Sequence, residues 1–271
     1  MSLFLPPLYL AASAAQVILS VGLLVWWRLH HARGFATMLF WGGSLAIAAW
    51  VASRALTWLR MSLGASLPLS SSLFPMLAVA HVVLSVSIEY LIILGGAHRV
   101  PIRTFTWEQS VTAGLSYGSA WSVLLVGQSV LSQLGVLTFL PRLPFGSSGL
   151  ALARAISIRL EQVPIIFFQA FACVLIIYAV QAKSRKWYGL GFVYLLAGPG
   201  VAYLLAALPF LAHAFGGLPG FSIGGLPGFS MVELVSSVVA SLVLGAVGLW
   251  GMRAMRGRWP VVSPDEGRGR P

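Results

Sequence analysis

Long runs of apolar residues, separated by short polar or basic connectors, make up most of the chain. They fall at about residues 5–27, 35–52, 74–95, 111–139, 163–180, 190–210 and 231–252. A helix needs about 20 apolar residues to cross the hydrocarbon core of a bilayer. Apolar positions inside each run are continuous rather than alternating, which favours helices over the strands of a β-barrel. The pattern predicts an all-α, polytopic membrane protein with a bundle of about seven transmembrane helices. Residues 1–271 then form a single integral-membrane domain with a short basic tail over about 253–271. The first run is expected to be a retained span, because no basic residue precedes it and it is long for a signal sequence. The fourth run is long enough to tilt or bend.

Two connectors stand out. Residues 140–162 carry Pro141, Pro144 and the Gly146-Ser147-Ser148-Gly149 break, followed by a mostly apolar segment with Arg154 and Arg159. This segment fits an interfacial helix or, equally, an outward extension of the fifth span. Residues 216–231 hold Gly216-Gly217-Leu218-Pro219-Gly220-Phe221-Ser222 and then the same seven residues again from Gly224 to Ser230. Two copies are too few for a solenoid, and the Gly and Pro density prevents a regular helix. A local duplication lengthening a loop is the simplest reading, with a substrate or partner loop as the functional one.

Basic residues set the expected orientation. With the N-terminus outside, the inner segments hold 12 Lys and Arg and the outer segments 5, which favours N-out, C-in. Trp26, Trp27, Trp107, Trp187 and Trp250 then lie at the inner ends, as an aromatic belt requires. Composition agrees with this reading. Apolar residues make up 58% and charged residues 8% of the chain, against about 25% charged in a soluble domain. Mean hydropathy is +0.90. An ordinary cytosolic enzyme, a disordered chain and a nucleic-acid module are excluded. The net charge of +11 does not point to nucleic acid, because the basic residues sit between apolar runs. The single cysteine, Cys173, permits no internal disulfide and no thiolate metal cluster.

Ionisable groups inside a bilayer are costly, and each is a functional candidate. His81 and Glu89 lie in the third span, Glu161 near the start of the fifth, His213 at the end of the sixth and Glu233 near the start of the seventh. His81 and Glu89 are eight residues apart, about 12 Å along a helix and about 80° around it, so they do not converge on one metal by themselves. His81 reads as a neutral histidine hydrogen-bonded between helices, or as an axial ligand to haem or chlorin. Glu89 reads as a carboxyl that keeps its proton at low dielectric and pairs with Tyr90 or a serine, with a proton-relay role as the alternative. Glu161 and Glu233 are expected near water or beside Arg159 or Arg154. The small residues in Gly114-Leu115-Ser116-Tyr117-Gly118-Ser119-Ala120 predict close helix packing.

Several segments together resemble the YhfC family of proposed intramembrane metalloproteases, relatives of the CAAX-prenyl protease and bacteriocin-processing superfamily. The likeness runs over most of the chain. It is carried by Leu23-Leu24-Val25-Trp26-Trp27-Arg28 with the Gly42-Gly43 second span, by Trp107-Glu108-Gln109 leading to Gly114-Leu115-Ser116-Tyr117-Gly118, and by Leu160-Glu161-Gln162. Phe167-Phe168-Gln169-Ala170-Phe171 and Tyr178-Ala179-Val180 with the basic loop and Trp187 extend it. The resemblance implies an intramembrane protease fold and zinc chemistry. Its motif positions map to Glu89, Tyr117, Trp121, Glu161 and Gln169. The departures fall on the chemistry. Tyr117 and Gln169 stand at histidine positions, Trp121 at an acidic one, and Ile92 or Ile93 where an arginine is expected. The sixth span from Leu195 to Leu205 carries Gly198-Pro199-Gly200 and no histidine.

A hydrolytic metal site needs ligands and a general base. The preferred expectation is therefore a pseudoenzyme in the plasma membrane, with no cofactor and no nucleic-acid partner. It would bind a transmembrane partner or lipid, or act as a scaffold in a larger membrane complex. An active protease with relocated ligands (His81, Glu89 and Glu161, with zinc) is one alternative. A small-molecule or lipid transporter, with Gly198-Pro199-Gly200 breaking the sixth helix, is another. A cofactor-bearing subunit with His81 as ligand is the third.

Overall fold

Each apolar run becomes a helix because a continuous apolar backbone in an apolar environment must satisfy its own polar groups. The computed structural model describes residues 7–31, 35–66, 73–99, 105–133, 149–214 and 231–259. Among them are seven helices and no strand: α1 (Pro7–His30), α2 (Phe35–Ser66), α3 (Leu73–Arg99), α4 (Trp107–Gln133), α5 (Gly149–Ala182), α6 (Arg185–Ala214) and α7 (Met231–Arg256). Five stretches are long and apolar enough to cross a membrane: Pro7–His30, Phe35–Arg60, Val79–Arg99, Glu161–Ala182 and Val238–Arg256. The outer surface is correspondingly apolar, with Leu29, Phe40, Leu91, Val193 and Trp250 all exposed. A soluble protein rarely presents so much contiguous apolar surface.

Three boundaries differ from the sequence reading. α2 continues to Ser66 rather than stopping near residue 52. Arg54 and Arg60 interrupt the apolar run but are good helix formers, so they end the hydropathy signal and not the helix. α5 begins at Gly149 and is unbroken to Ala182, which resolves the segment after Gly149 as an extension of that helix. α6 runs unbroken through Gly198-Pro199-Gly200, so the break that the transporter alternative places there is absent. The duplicated residues 216–230 lie outside the described residues, as do the side chains of His213, Glu233, Arg154 and Arg159.

α5 is the central helix. It packs against α1, α3, α4, α6 and α7, and 67% of its membrane-length stretch is buried against 17–33% in the other four. Its apolar face from Ile166 to Ile177 forms much of the core. Glycines let its neighbours approach. A Cβ on Gly114 or Gly118 of α4 would lie 2.5 Å from the carbonyl oxygen of Ala170 or Ile166. On α7, Gly245 and Gly248 face the backbone of Pro164 and Phe167 in the same way. This is the small-residue packing the fourth run predicted.

α4 is the polar helix of the bundle. Ser110, Thr112, Ser116, Ser119, Ser122 and Ser132 are all buried on it, and Thr112, Ser116 and Ser122 find partners on α1 and α2. The Tyr9 hydroxyl and Ser129 Oγ are 2.6 Å apart, Gln16 Nε2 donates to Ser122 Oγ at 2.8 Å, and Trp27 Nε1 donates to Thr112 Oγ1 at 2.8 Å. Tyr9 and Gln16 are seven residues apart, as are Ser122 and Ser129, so the bonds fix an antiparallel register. From α2, Trp50 Nε1 donates to Gln128 Oε1, and Ser116 Oγ donates to the Leu39 carbonyl.

Local signals fix two helix ends. Thr106 and Gln109 form a reciprocal capping box at the start of α4: Thr106 N donates to Gln109 Oε1 at 3.0 Å, and Gln109 N donates to Thr106 Oγ1 at 3.3 Å. α5 ends in a Schellman turn, with Ser184 N donating to the Ala179 carbonyl and Lys183 N to that of Val180. Lys183 takes the left-handed conformation there, at φ 48°. The same end of the bundle gathers the aromatics. Trp107 packs edge-on to Trp259, Tyr178 contacts Trp187 and Trp259, and Trp41 meets Phe105. The Phe105 carbonyl accepts from both Trp259 Nε1 and Gln181 Nε2.

Candidate functional site

The buried carboxyl is Glu89, in the middle of α3 and 8% exposed. α3 lies against α5, and the face that carries Glu89 also carries the fully buried Ile93 one turn on. α4 brings Tyr117, which has no exposed surface. Its hydroxyl donates to Glu89 Oε1 at 2.7 Å. α5 brings Gln169, whose side chain forms a second hydrogen bond to the same carboxyl. Gln169 Oε1 is buried without a partner among the described residues, so the amide nitrogen is the donor. One turn further along α5, the buried free thiol of Cys173 lies close enough to interact electrostatically with both Glu89 and Tyr117. Trp121, one turn beyond Tyr117, stacks on it with ring centroids 6.1 Å apart and planes inclined by 21°.

Glu89, Tyr117 and Gln169 thus meet from three helices, with Trp121 behind Tyr117. The partner of Glu89 is Tyr117, not Tyr90 or a serine. The Tyr90 hydroxyl turns to the Tyr188 carbonyl instead, at 3.1 Å. Sequence reading had no signal for the Cys173 contact, because a lone cysteine in an apolar run reads as a packing residue.

Glu161 and His81 are elsewhere. Glu161 precedes Gln169 by eight residues on α5, about 12 Å along the helix, and is partly exposed. His81 is the same distance from Glu89 on α3 and faces the Arg54 and Arg60 charges of α2. Its Nδ1 is buried with no hydrogen-bond partner among the described residues.

The donor set does not suit zinc. A zinc site needs three or four converging His, Cys or carboxylate ligands. Here one carboxyl is committed to a hydroxyl and an amide. Among the described residues no three His, Cys, Asp or Glu lie close enough together to hold a metal ion. The arrangement is a small polar network in an apolar interior, able to fix three helices in register. Neither the family models, the curated proteins nor the solved structures contain a match to this chain.

Proposed function

We propose that the chain is a non-catalytic binding or scaffold subunit of the plasma membrane, built on a fold like that of the YhfC family. The observation that carries this reading is the convergence of Glu89, Tyr117 and Gln169 at one point. Three positions of the family's motif come together there, occupied by a hydrogen-bonded set in which the one metal-ligating group is the Glu89 carboxyl. The position that would organise a reaction instead ties α3, α4 and α5 together, leaving the exposed apolar faces of the outer helices for a transmembrane partner or lipid. Relocated ligands find no support, since His81 and Glu161 each lie about two helical turns from the network.

All seven helices span the membrane in this reading, N-out and C-in. The end that gathers Trp27, Trp107 and Trp187 also carries Arg28, Arg99, Lys183, Arg185, Lys186, Arg253, Arg256 and Arg258, as a cytoplasmic face would. α4 crosses inside the bundle, where a polar sequence is tolerated because its hydroxyls meet protein.

Metal analysis of the full chain, purified in mild detergent, tests the non-catalytic reading. Zinc is expected well below one per chain, unchanged in Glu89→Gln. Stoichiometric zinc that disappears in Glu89→Gln or His81→Ala would overturn it. Topology is checked separately by labelling single cysteines placed at each helix end in a Cys173→Ser background. Labelling of the α1–α2 connection from outside intact cells would reverse the orientation.

A further inference from the structure

α1 turns its polar side inward. Its buried residues are Tyr9, Ala12, Ser13, Gln16 and Ser20, and four of the five carry a hydroxyl or an amide. Leu8, Ile18, Leu19, Val21 and Val25 are exposed on the same helix. Cross-helix bonds to α4 brace this seam at both ends, Tyr9 with Ser129 at one and Trp27 with Thr112 at the other. Between the braces Gln16 Nε2 donates to Ser122 Oγ at 2.8 Å and to the Ser122 carbonyl at 3.3 Å. Ser20 Oγ lies 3.2 Å from Ser122 Oγ. Gln16 has no exposed surface, and Ser13 and Ser119 are 4% and 2% exposed. In this stretch Gln16 Oε1, Ser13 Oγ and Ser119 Oγ are buried without a hydrogen-bond partner among the described residues.

The amide cannot resolve this by turning over. The Ser122 carbonyl only accepts, so Nε2 must stay on it and Oε1 must look for a donor elsewhere. Ser13 is three residues from Gln16, and Ser119 is three from Ser122, about 4.5 Å along each helix axis. Two hydrogen bonds of about 2.8 Å, end to end, span that distance. We propose that this stretch of the α1–α4 seam is a water-binding site, with one molecule donating to Gln16 Oε1 and bridging it to the Ser13 or Ser119 hydroxyl. Water supplies two donors and two acceptors, and buried water occupies polar sites with about three partners. A cation fits less well. α1 carries no acidic residue, and the one acid of α4, Glu108, is eleven residues from Ser119, about 16 Å away along the helix, so a bound cation would lack a counter-charge inside the bilayer. A lipid headgroup does not reach a side chain without exposed surface. Gln16 is nine residues from Pro7, about 14 Å, which puts the site near the middle of a hydrocarbon core about 30 Å thick. The inference does not depend on the role of the Glu89 network.

Water-edited solid-state NMR of the full chain in lipid bilayers, with isotope-labelled glutamine and isoleucine, tests it. Gln16→Met identifies the Gln16 side-chain signal by its loss. In wild type, magnetisation is expected to pass from water to Gln16 Cδ as early as to the partly exposed Gln109, and well before it reaches the fully buried Ile177. Replacing both bridging hydroxyls, in Ser13→Ala with Ser119→Ala, is expected to abolish the early transfer to Gln16 and leave that to Gln109 unchanged. The wild-type comparison decides alone should the double variant fail to elute as a monodisperse helical protein. Transfer to Gln16 as slow as to Ile177 would overturn the site, and so would early transfer that survives loss of both hydroxyls. A Gln16 Cδ shift that follows sodium concentration would replace water by a monovalent cation and overturn the proposal in that way. Zinc content is indifferent to these results, so this reading and the non-catalytic one fail separately.

Discussion

Replacing glycine by alanine at three positions of α4 should give two opposite signs on one helix. A Cβ at Gly118 would lie 2.5 Å from the Ile166 carbonyl oxygen and 3.1 Å from Ile166 Cα. Comfortable carbon–oxygen approach begins at about 3.3 Å, so α4 and α5 must separate by about 0.8 Å. The obstacle is backbone, which cannot rotate away. Overpacking of this kind costs about 1–3 kcal/mol, and the obstacle puts Gly118→Ala near the top of that range. Alanine returns about 1 kcal/mol of helix propensity, leaving a net loss of about 1–2 kcal/mol. Gly114→Ala meets the Ala170 carbonyl at the same 2.5 Å and should behave alike. Gly127 has nothing within 4 Å of its added Cβ, so Gly127→Ala should stabilise by about 0.5–1 kcal/mol. The assay is thermal unfolding in one detergent, followed by helical circular dichroism with size-exclusion elution as a control. Because Tyr117 adjoins Gly118 and Gln169 adjoins Ala170, the separation should also loosen the Glu89 network. Equal shifts for Gly118→Ala and Gly127→Ala would refute the close approach of α4 to α5.

Tyr117→Phe removes one donor and leaves Glu89 Oε1 without it, at an expected cost of about 1–3 kcal/mol. A double-mutant cycle with Glu89→Leu, which removes the acceptor, should return a coupling of about 1 kcal/mol, within the span measured for interhelical hydrogen bonds in membranes; zero coupling would mean the bond is absent. Lys183→Gly should stabilise the α5–α6 turn by about 1 kcal/mol, since glycine enters the left-handed region without the strain a lysine Cβ carries. An unchanged or lower unfolding temperature would count against the Schellman turn.

What the sequence determined by itself is the solvent and the secondary structure. Runs of apolar residues, with too few charges to coat a soluble protein, leave helices as the way to satisfy the backbone, and seven helices lie near the expected places. Capping signals such as Thr106 with Gln109 are local, so they too are legible. Hydropathy misjudged the end of α2, because it registers arginine as an interruption while the helix backbone does not. The transporter alternative called for a break at Gly198-Pro199-Gly200 that the helix does not make.

Tertiary structure decided which polar groups meet. Glu89 was visible as a costly buried acid, but Tyr90, its neighbour in sequence, points to another helix, and the donor comes from Tyr117, 28 positions away. Hydroxyls of α4 meet distant partners in the same way: Ser122 pairs with Gln16 and Ser20, and Thr112 with Trp27, across separations of 85 to 106 residues. Hydropathy places a helix in the membrane and is silent about its rotation and its neighbours. Those follow from where glycines allow two backbones to close, and from which distant hydroxyl, amide or carboxyl then falls within about 3 Å.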